Sequence, residues 1–222
     1  MSMIKYYPKL TLTFSEIPGA PTLLIHAFTG CPFHCFHCFN FQEIINNPQT
    51  NYYLIADVLS YIEKQKDLFG YIVFSGGEYL NTSLEDLKHD LKMVREITDT
   101  PIIIYTNGSH PEKMLLLHRA QLVDGFHTDM KLPYHLLDNN DHELIELTLG
   151  IKVDDIEFFR PHLQALELTV KLDRGYSRIR SVRYPFLGES AFEENRLFVE
   201  KLNRKYHKKT PYDVNPFIYP EE

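Results

Sequence analysis

Cysteine is nearly absent from this chain. Only three occur, all between residues 31 and 38, so no framework of paired disulfides can be drawn. That usage implies a reducing compartment. Long apolar runs are missing as well, and no stretch reaches the ~20 residues that a membrane-spanning helix needs. The N-terminus, Met1-Ser2-Met3-Ile4-Lys5, lacks the apolar core of a signal peptide. Basic charge is in deficit: 23 Lys and Arg stand against 30 Asp and Glu, a net −7. A general nucleic-acid surface would be basic. The expectation is a cytoplasmic protein that binds neither membrane nor nucleic acid. There is no internal repeat, low-complexity segment or interdomain linker. Residues 1–222 are therefore read as one domain, with a core over about 20–185 and a C-terminal helix and tail over 190–222.

What is present is an alternation of apolar runs and amphipathic stretches. Residues 8–17 alternate weakly, with Leu10, Leu12 and Phe14 on one side, and read as a strand or hairpin arm. Pro21 to Phe28, Tyr71 to Phe74, Pro101 to Tyr105 and Val123 to Met130 read as buried strands. Leu166 to Val170 reads as a fifth, and Ile179 to Tyr184 as a sixth. Helical periodicity marks Tyr52 to Lys66, with further helices at Glu143 to Leu149 and Asp154 to Leu163. Ser83 with Asp86, Ser109 with Glu112 and Ser190 with Glu193 have capping-box spacing and start three helices. Ser109 opens a helix to about Gln121, and Ser190 one to Lys205. The tail from Pro211 to Glu222 reads as an irregular strap. Alternating strands and helices imply a parallel sheet with right-handed crossovers. The class is α/β, and five or six βα units give a partial (β/α)6 barrel of TIM type rather than a closed eight-stranded one.

The cysteines follow the first barrel strand, spaced Cys31-x3-Cys35-x2-Cys38. Barrel active sites lie at the C-terminal ends of strands. Three thiols and no fourth give an iron–sulfur site with one position open to a ligand. A Cys3His zinc site using His34 or His37 is the rival. Three unrelated reduced thiols are the bland alternative. The second strand runs into Gly76-Gly77-Glu78, which alone would be only a tight turn. The third ends at Thr106-Asn107-Gly108 and the fourth at Asp129-Met130-Lys131. The first of these normally reads as a turn and the second as a solvated ion pair.

Together these motifs resemble the radical S-adenosylmethionine (SAM) superfamily. The runs Tyr105 to Glu112 and Val123 to Pro133 are most similar to glycyl-radical-enzyme activases, in the branch of anaerobic ribonucleotide reductase activating proteins. The likeness spans roughly residues 20–135. It implies that Cys31, Cys35 and Cys38 ligate a [4Fe–4S] cluster and that His37 lies near the adenine of SAM. It implies that Gly76, Gly77 and Glu78 hold the methionine end. Thr106, Asn107, Asp129 and Lys131 would surround the SAM carboxylate, the ribose or the substrate backbone. Tyr105 replaces an aspartate usual in these activases, which puts a monovalent-cation site in doubt. The absence of further cysteines excludes auxiliary clusters.

The expected activity is reductive cleavage of SAM to a 5′-deoxyadenosyl radical that installs a glycyl radical on a partner, under anaerobic conditions. Such a partner is anaerobic ribonucleoside-triphosphate reductase, with flavodoxin or ferredoxin as electron donor. The alternatives are a small-molecule radical SAM enzyme of the 7-carboxy-7-deazaguanine synthase type and, more remotely, a zinc-bound interaction module. His26, His127 and His135 lie near predicted strand ends and are left unassigned. The basic run from Lys201 to Lys209 is read as a solvated helix end.

Overall fold

The computed structural model describes residues 2–17, 19–47 and 49–219. Seven strands form one sheet in sequence order: β1 (Thr11–Ile17), β2 (Ala20–Ala27), β3 (Tyr71–Gly76), β4 (Ile102–Thr106), β5 (Gly125–Asp129), β6 (Arg178–Arg183) and β7 (Tyr212–Pro216). β1 runs antiparallel to β2, and every pair from β2 to β7 is parallel. Six parallel strands make the expected partial barrel, and β1 and β7 are its two edges.

The crossovers are α1 (Ile55–Gln65), α2 (Leu84–Ile97), α3 (Pro111–Arg119), α5 (Arg160–Leu172) and α6 (Glu189–Tyr206). An extra helix, α4 (His142–Leu149), precedes α5 in the β5–β6 connection. Val58, Ile62, Leu87, Leu91 and Val94 from α1 and α2 bury against Leu23, Ile25, Ile72 and Phe74 of the sheet. Ile17, Val73 and Ile103 form a smaller interior core. Leu12 and Phe14 are exposed, so the alternation of β1 marks a face that nothing covers; Leu10 alone of the three packs on the main core.

Four expectations fail locally. Leu166 to Val170 is not a strand but the second half of α5. Of its buried residues, His162, Ala165, Leu166, Thr169 and Val170 follow helical spacing and Leu168 departs from it, while Glu167 and Lys171 ride the outer face. Pro161 opens that helix, where its missing N–H costs nothing. Ser109 does not cap α3, because its backbone N–H and hydroxyl both bond Asn107 Oδ1, and His110 becomes the N-cap. Ser190 lies inside α6, whose N-cap is Gly188, and Glu193 pairs with Arg196 instead. The tail is not irregular over its whole length. Tyr212–Pro216 adds a parallel strand beside β6, and Pro220 to Glu222 lie outside the described residues. The Ser83 cap does form, with Asp86 N–H donating to Ser83 Oγ at 3.1 Å.

Candidate active site

The loop after β2 and the ends of β3 to β7 open onto one cavity of about 600 Å³, within the range of small-molecule sites. Cys31, Cys35, Cys38 and His37 line one wall, and Gly76, Gly77, Thr106, Asn107, Asp129 and Lys131 line the rest. Ten of the eleven residues singled out from the sequence therefore meet there.

Glu78 is the exception. Its carboxylate is buried and accepts the Asn107 N–H at 2.6 Å and the Leu80 N–H at 3.1 Å. It ties the end of β3 to the end of β4 rather than facing the cavity. Burial pushes its pKa up to about 7, against the pull of those two N–H donors. Gly76 and Gly77 are required by packing. A Cβ at 76 would lie 2.2 Å from the Ala27 carbonyl oxygen, and one at 77 would lie 2.3 Å from that of Gly30. The glycines thus seat β3 against the start of the cysteine loop, and Asn40 Nδ2 donates to the Gly76 carbonyl at 2.9 Å.

Around the thiols the chemistry is consistent. Asn107 Nδ2 donates to Cys31 Sγ at 3.7 Å. Burial pushes the Cys31 thiol up to about 12 and Cys35 up to about 11, and Lys131 opposes both shifts. Both thiols hold their protons until a bound cation displaces them. Burial alone would lower the Lys131 pKa, but Asp129, at 2.8 Å, outweighs it and holds the ammonium charged. Burial likewise works to raise Asp129, and Lys131 and Arg180 reverse it to a net depression.

Several residues of this site went unread in the sequence. Arg180 Nη2 lies 3.2 Å from Asp129, and its guanidinium sits 3.9 Å from the centre of the Tyr105 ring. Tyr105 Oη donates to Glu16 at 2.7 Å, and its ring stacks on His127. Where the resemblance expects an aspartate, the chain thus presents a phenol to a carboxylate and a ring face to a cation. Arg180 on β6 and Tyr184 just past its end fall on the same alternation and line the cavity, so the strand-end rule applied to Ile179–Tyr184 could have found them. Glu16 arrives from the other edge of the sheet and carries no local signal. His37 adopts a left-handed backbone (φ 45°) and meets Phe36, Phe217 and Tyr219 edge to face.

The unassigned histidines stand apart from this cavity. His26 lines a side chamber, His127 lies beneath Tyr105, and His135 stacks on Phe198. The basic run behaves as a helix end: Lys205 pairs with Glu167, and Lys208 donates to the Asp173 carbonyl at 2.6 Å.

Among the described residues no three His, Cys, Asp or Glu side chains group as ligands of a single metal ion. An iron–sulfur cluster takes its thiolates on separate irons, so three thiols spread along one cavity wall, with an amide donor and an ammonium nearby, fit such a cluster.

The sequence matches the model of the radical SAM superfamily over residues 25–137. The chain belongs to that superfamily. Membership implies SAM and a [4Fe–4S] cluster as its cofactors. No curated protein sequence matches it. Among solved structures this radical SAM chain is similar to anSMEcpe with bound AdoMet, at 16% identity and a TM-score of 0.54. That match covers 87% of this chain and 51% of the other. Coproporphyrinogen III oxidase (HemN) from Escherichia coli, described as a radical SAM enzyme, matches at 17% identity and a TM-score of 0.51. It covers 92% of this chain and 46% of that one. The chain therefore spans about half the length of each. At these identities the likeness shows the fold alone. No helix among the described residues is long and apolar enough to cross a membrane.

Proposed function

We propose that this radical SAM enzyme installs a glycyl radical on a backbone glycine of a partner, such as anaerobic ribonucleoside-triphosphate reductase, with a flavodoxin or ferredoxin as electron donor. Cys31, Cys35 and Cys38 would hold the [4Fe–4S] cluster, which supplies the electron that cleaves SAM to a 5′-deoxyadenosyl radical. The chain's own residues do the positioning. Asn107 steadies Cys31, and Lys131 supplies positive charge beside the thiolates and a donor for the SAM carboxylate. Asp129 keeps that lysine charged and orients it. Glu78 and Gly77 hold the β3 and β4 ends in register beside the ligand.

One observation favours a peptide over an anionic small molecule. A side chamber of about 370 Å³ shares Glu16, Asn40, Ser75 and Tyr105 with the main cavity. Its remaining charges are Lys9 and Glu43, with His26 held neutral chiefly by burial. Of the chamber's two carboxylates, Glu16 lies 4.0 Å from Arg180 and Glu43 is set against the exposed Lys9, so the charges balance and no net positive charge offsets the cost of desolvating an anion, such as the carboxylated heterocycle of the deazaguanine reading. An uncharged backbone glycine meets no such penalty.

The test mixes reduced protein, SAM and the candidate reductase without oxygen and follows electron paramagnetic resonance. A glycyl radical with wild type, and none with Cys35→Ala, is the expected result. Cleavage of SAM with no glycyl radical would sink the substrate assignment. Isotope transfer from a small heterocycle into 5′-deoxyadenosine would favour the second reading.

A further inference from the structure

The cysteine loop has no regular secondary structure, yet its backbone is not left to itself. His34 N–H donates to the Leu149 carbonyl at 2.9 Å, and Phe36 N–H donates to the Thr148 carbonyl at 3.1 Å. Those carbonyls belong to the last turn of α4, where a helix normally leaves its acceptors unsatisfied. The helix then stops at Gly150, which is left-handed (φ 65°) and returns its own N–H to Glu146 at 2.8 Å. A Cβ at residue 150 would lie 2.1 Å from the His34 carbonyl oxygen and 2.7 Å from the His34 Cβ. Contact between loop and helix end therefore requires glycine at that position twice over, by φ and by space. Beneath it, Ile145 and Leu149 share one buried core with Phe33, and Cys31 and Cys35 pack against the same core.

We propose that the C-terminal end of α4 is a positioning clamp for the cysteine loop, with Gly150 as its key residue, setting the three thiols in place before a cluster binds. The inference rests on the ligand role given to the cysteines above. It also accounts for a helix that the β5–β6 crossover does not need, since α5 already makes that connection. A loop that carries a non-glycine residue in left-handed backbone is strained there and persists only where its surroundings over-determine it. His37 is that residue.

The test uses the full chain. In the cluster-free wild type, hydrogen exchange should show the His34 and Phe36 amides protected. Exchange at both amides as fast as in an unstructured peptide would overturn the clamp. Gly150→Ala should lose that protection and retain cluster, scored as iron and sulfide after chelator challenge, about tenfold less well or worse, the range for contacts that support metal ligands. Gly175→Ala is the control: it is also left-handed (φ 96°) but meets nothing within 4 Å, so it adds strain without collision. Gly150→Asn, which tolerates left-handed backbone yet keeps a Cβ, should fail as the alanine does and serves should the alanine variant unfold. A folded Gly150 variant with wild-type iron, sulfide and chelator resistance would overturn the proposal. Protected amides in a wild type that takes up no iron or sulfide would instead overturn the ligand role of the cysteines and leave the clamp in place.

Discussion

Glu78 occupies a place where a carboxylate is least at home, buried between two strand ends and held by two backbone N–H donors. Burial lifts its pKa from 4.5 to about 7. Between those values the folded chain keeps a proton that the unfolded chain has released. Stability contributed at this site is therefore lost as pH rises from about 4.5 to about 7 and is flat above. The size is on the order of 3 kcal/mol at 1.36 kcal/mol per pH unit. His26 and His127, held neutral chiefly by burial, act in the opposite direction over part of this range. The useful observable is thus the difference from Glu78→Gln. That variant should be the less stable at pH 4.5, since its amide turns a donor toward Leu80 or Asn107 N–H. The gap should narrow as pH rises to 7, read as thermal midpoints across the range. A gap that stays constant would mean that Glu78 is ionised throughout. The Gly-Gly-Glu motif was legible from its place after a strand. What its glutamate touches was not, because both partners lie beyond the motif and one, Asn107, follows another strand.

At the scale of the element, three serines carried the same signal and only one caps a helix. Ser83 accepts the Asp86 N–H and starts α2. Ser190 is overtaken because α6 begins one residue earlier, at Glu189, after an extended Gly188. Ser109 is captured by Asn107, a residue of the site. The spacing rule sees local chemistry and is blind to a competing acceptor from the active-site loop. Ser83→Ala should therefore cost ~1 kcal/mol, the usual value of a lost cap. Ser190→Ala should stay within about 0.5 kcal/mol, as surface substitutions do. Equal losses in denaturant titrations would refute the assignment of the two helix starts. The Leu166–Val170 error has a similar origin. A five-residue stretch with apolar residues at alternate positions and a β-branched end, Leu166-Glu167-Leu168-Thr169-Val170, fits a strand and a helix turn alike. Groups outside the run decide it: Thr169 Oγ1 meets Thr128 Oγ1 on β5 at 2.6 Å and donates to the Ala165 carbonyl one turn earlier in α5 at 2.8 Å.

For the molecule as a whole, the parallel order and the meeting of the cysteines with the later motifs were readable, because each follows from periodicity and the strand-end rule, whereas the strand count agrees only because the false strand at Leu166–Val170 offsets the unread β7. What could not be read is how an unclosed barrel ties its own strands across the gap. Arg180 on β6 does much of this. It reaches Asp129 on β5 at 3.2 Å and Glu16 on β1 at 4.0 Å, and lies over Tyr105 on β4. Arg180, Asp129 and Glu16 expose 18%, 27% and 24% of their side chains, respectively. They sit between the surface and fully buried limits, so Arg180→Met should cost on the order of 2 kcal/mol. Part of that cost is not a lost attraction but a half-buried Glu16 carboxylate left without its cation, since Asp129 keeps Lys131 at 2.8 Å. Removing the Glu16 charge should therefore give stability back. Glu16→Gln keeps an acceptor for the Tyr105 hydroxyl, and in the Arg180→Met background it should recover ~1 kcal/mol, although alone in wild type it should destabilise. A double-mutant cycle in chemical denaturation measures this coupling directly. Strictly additive changes would mean that Glu16 and Arg180 do not sense one another, and the edge strand β1 would then be held by its ladder to β2 and by the hydrogen bond from Tyr105 to Glu16, without help from β6.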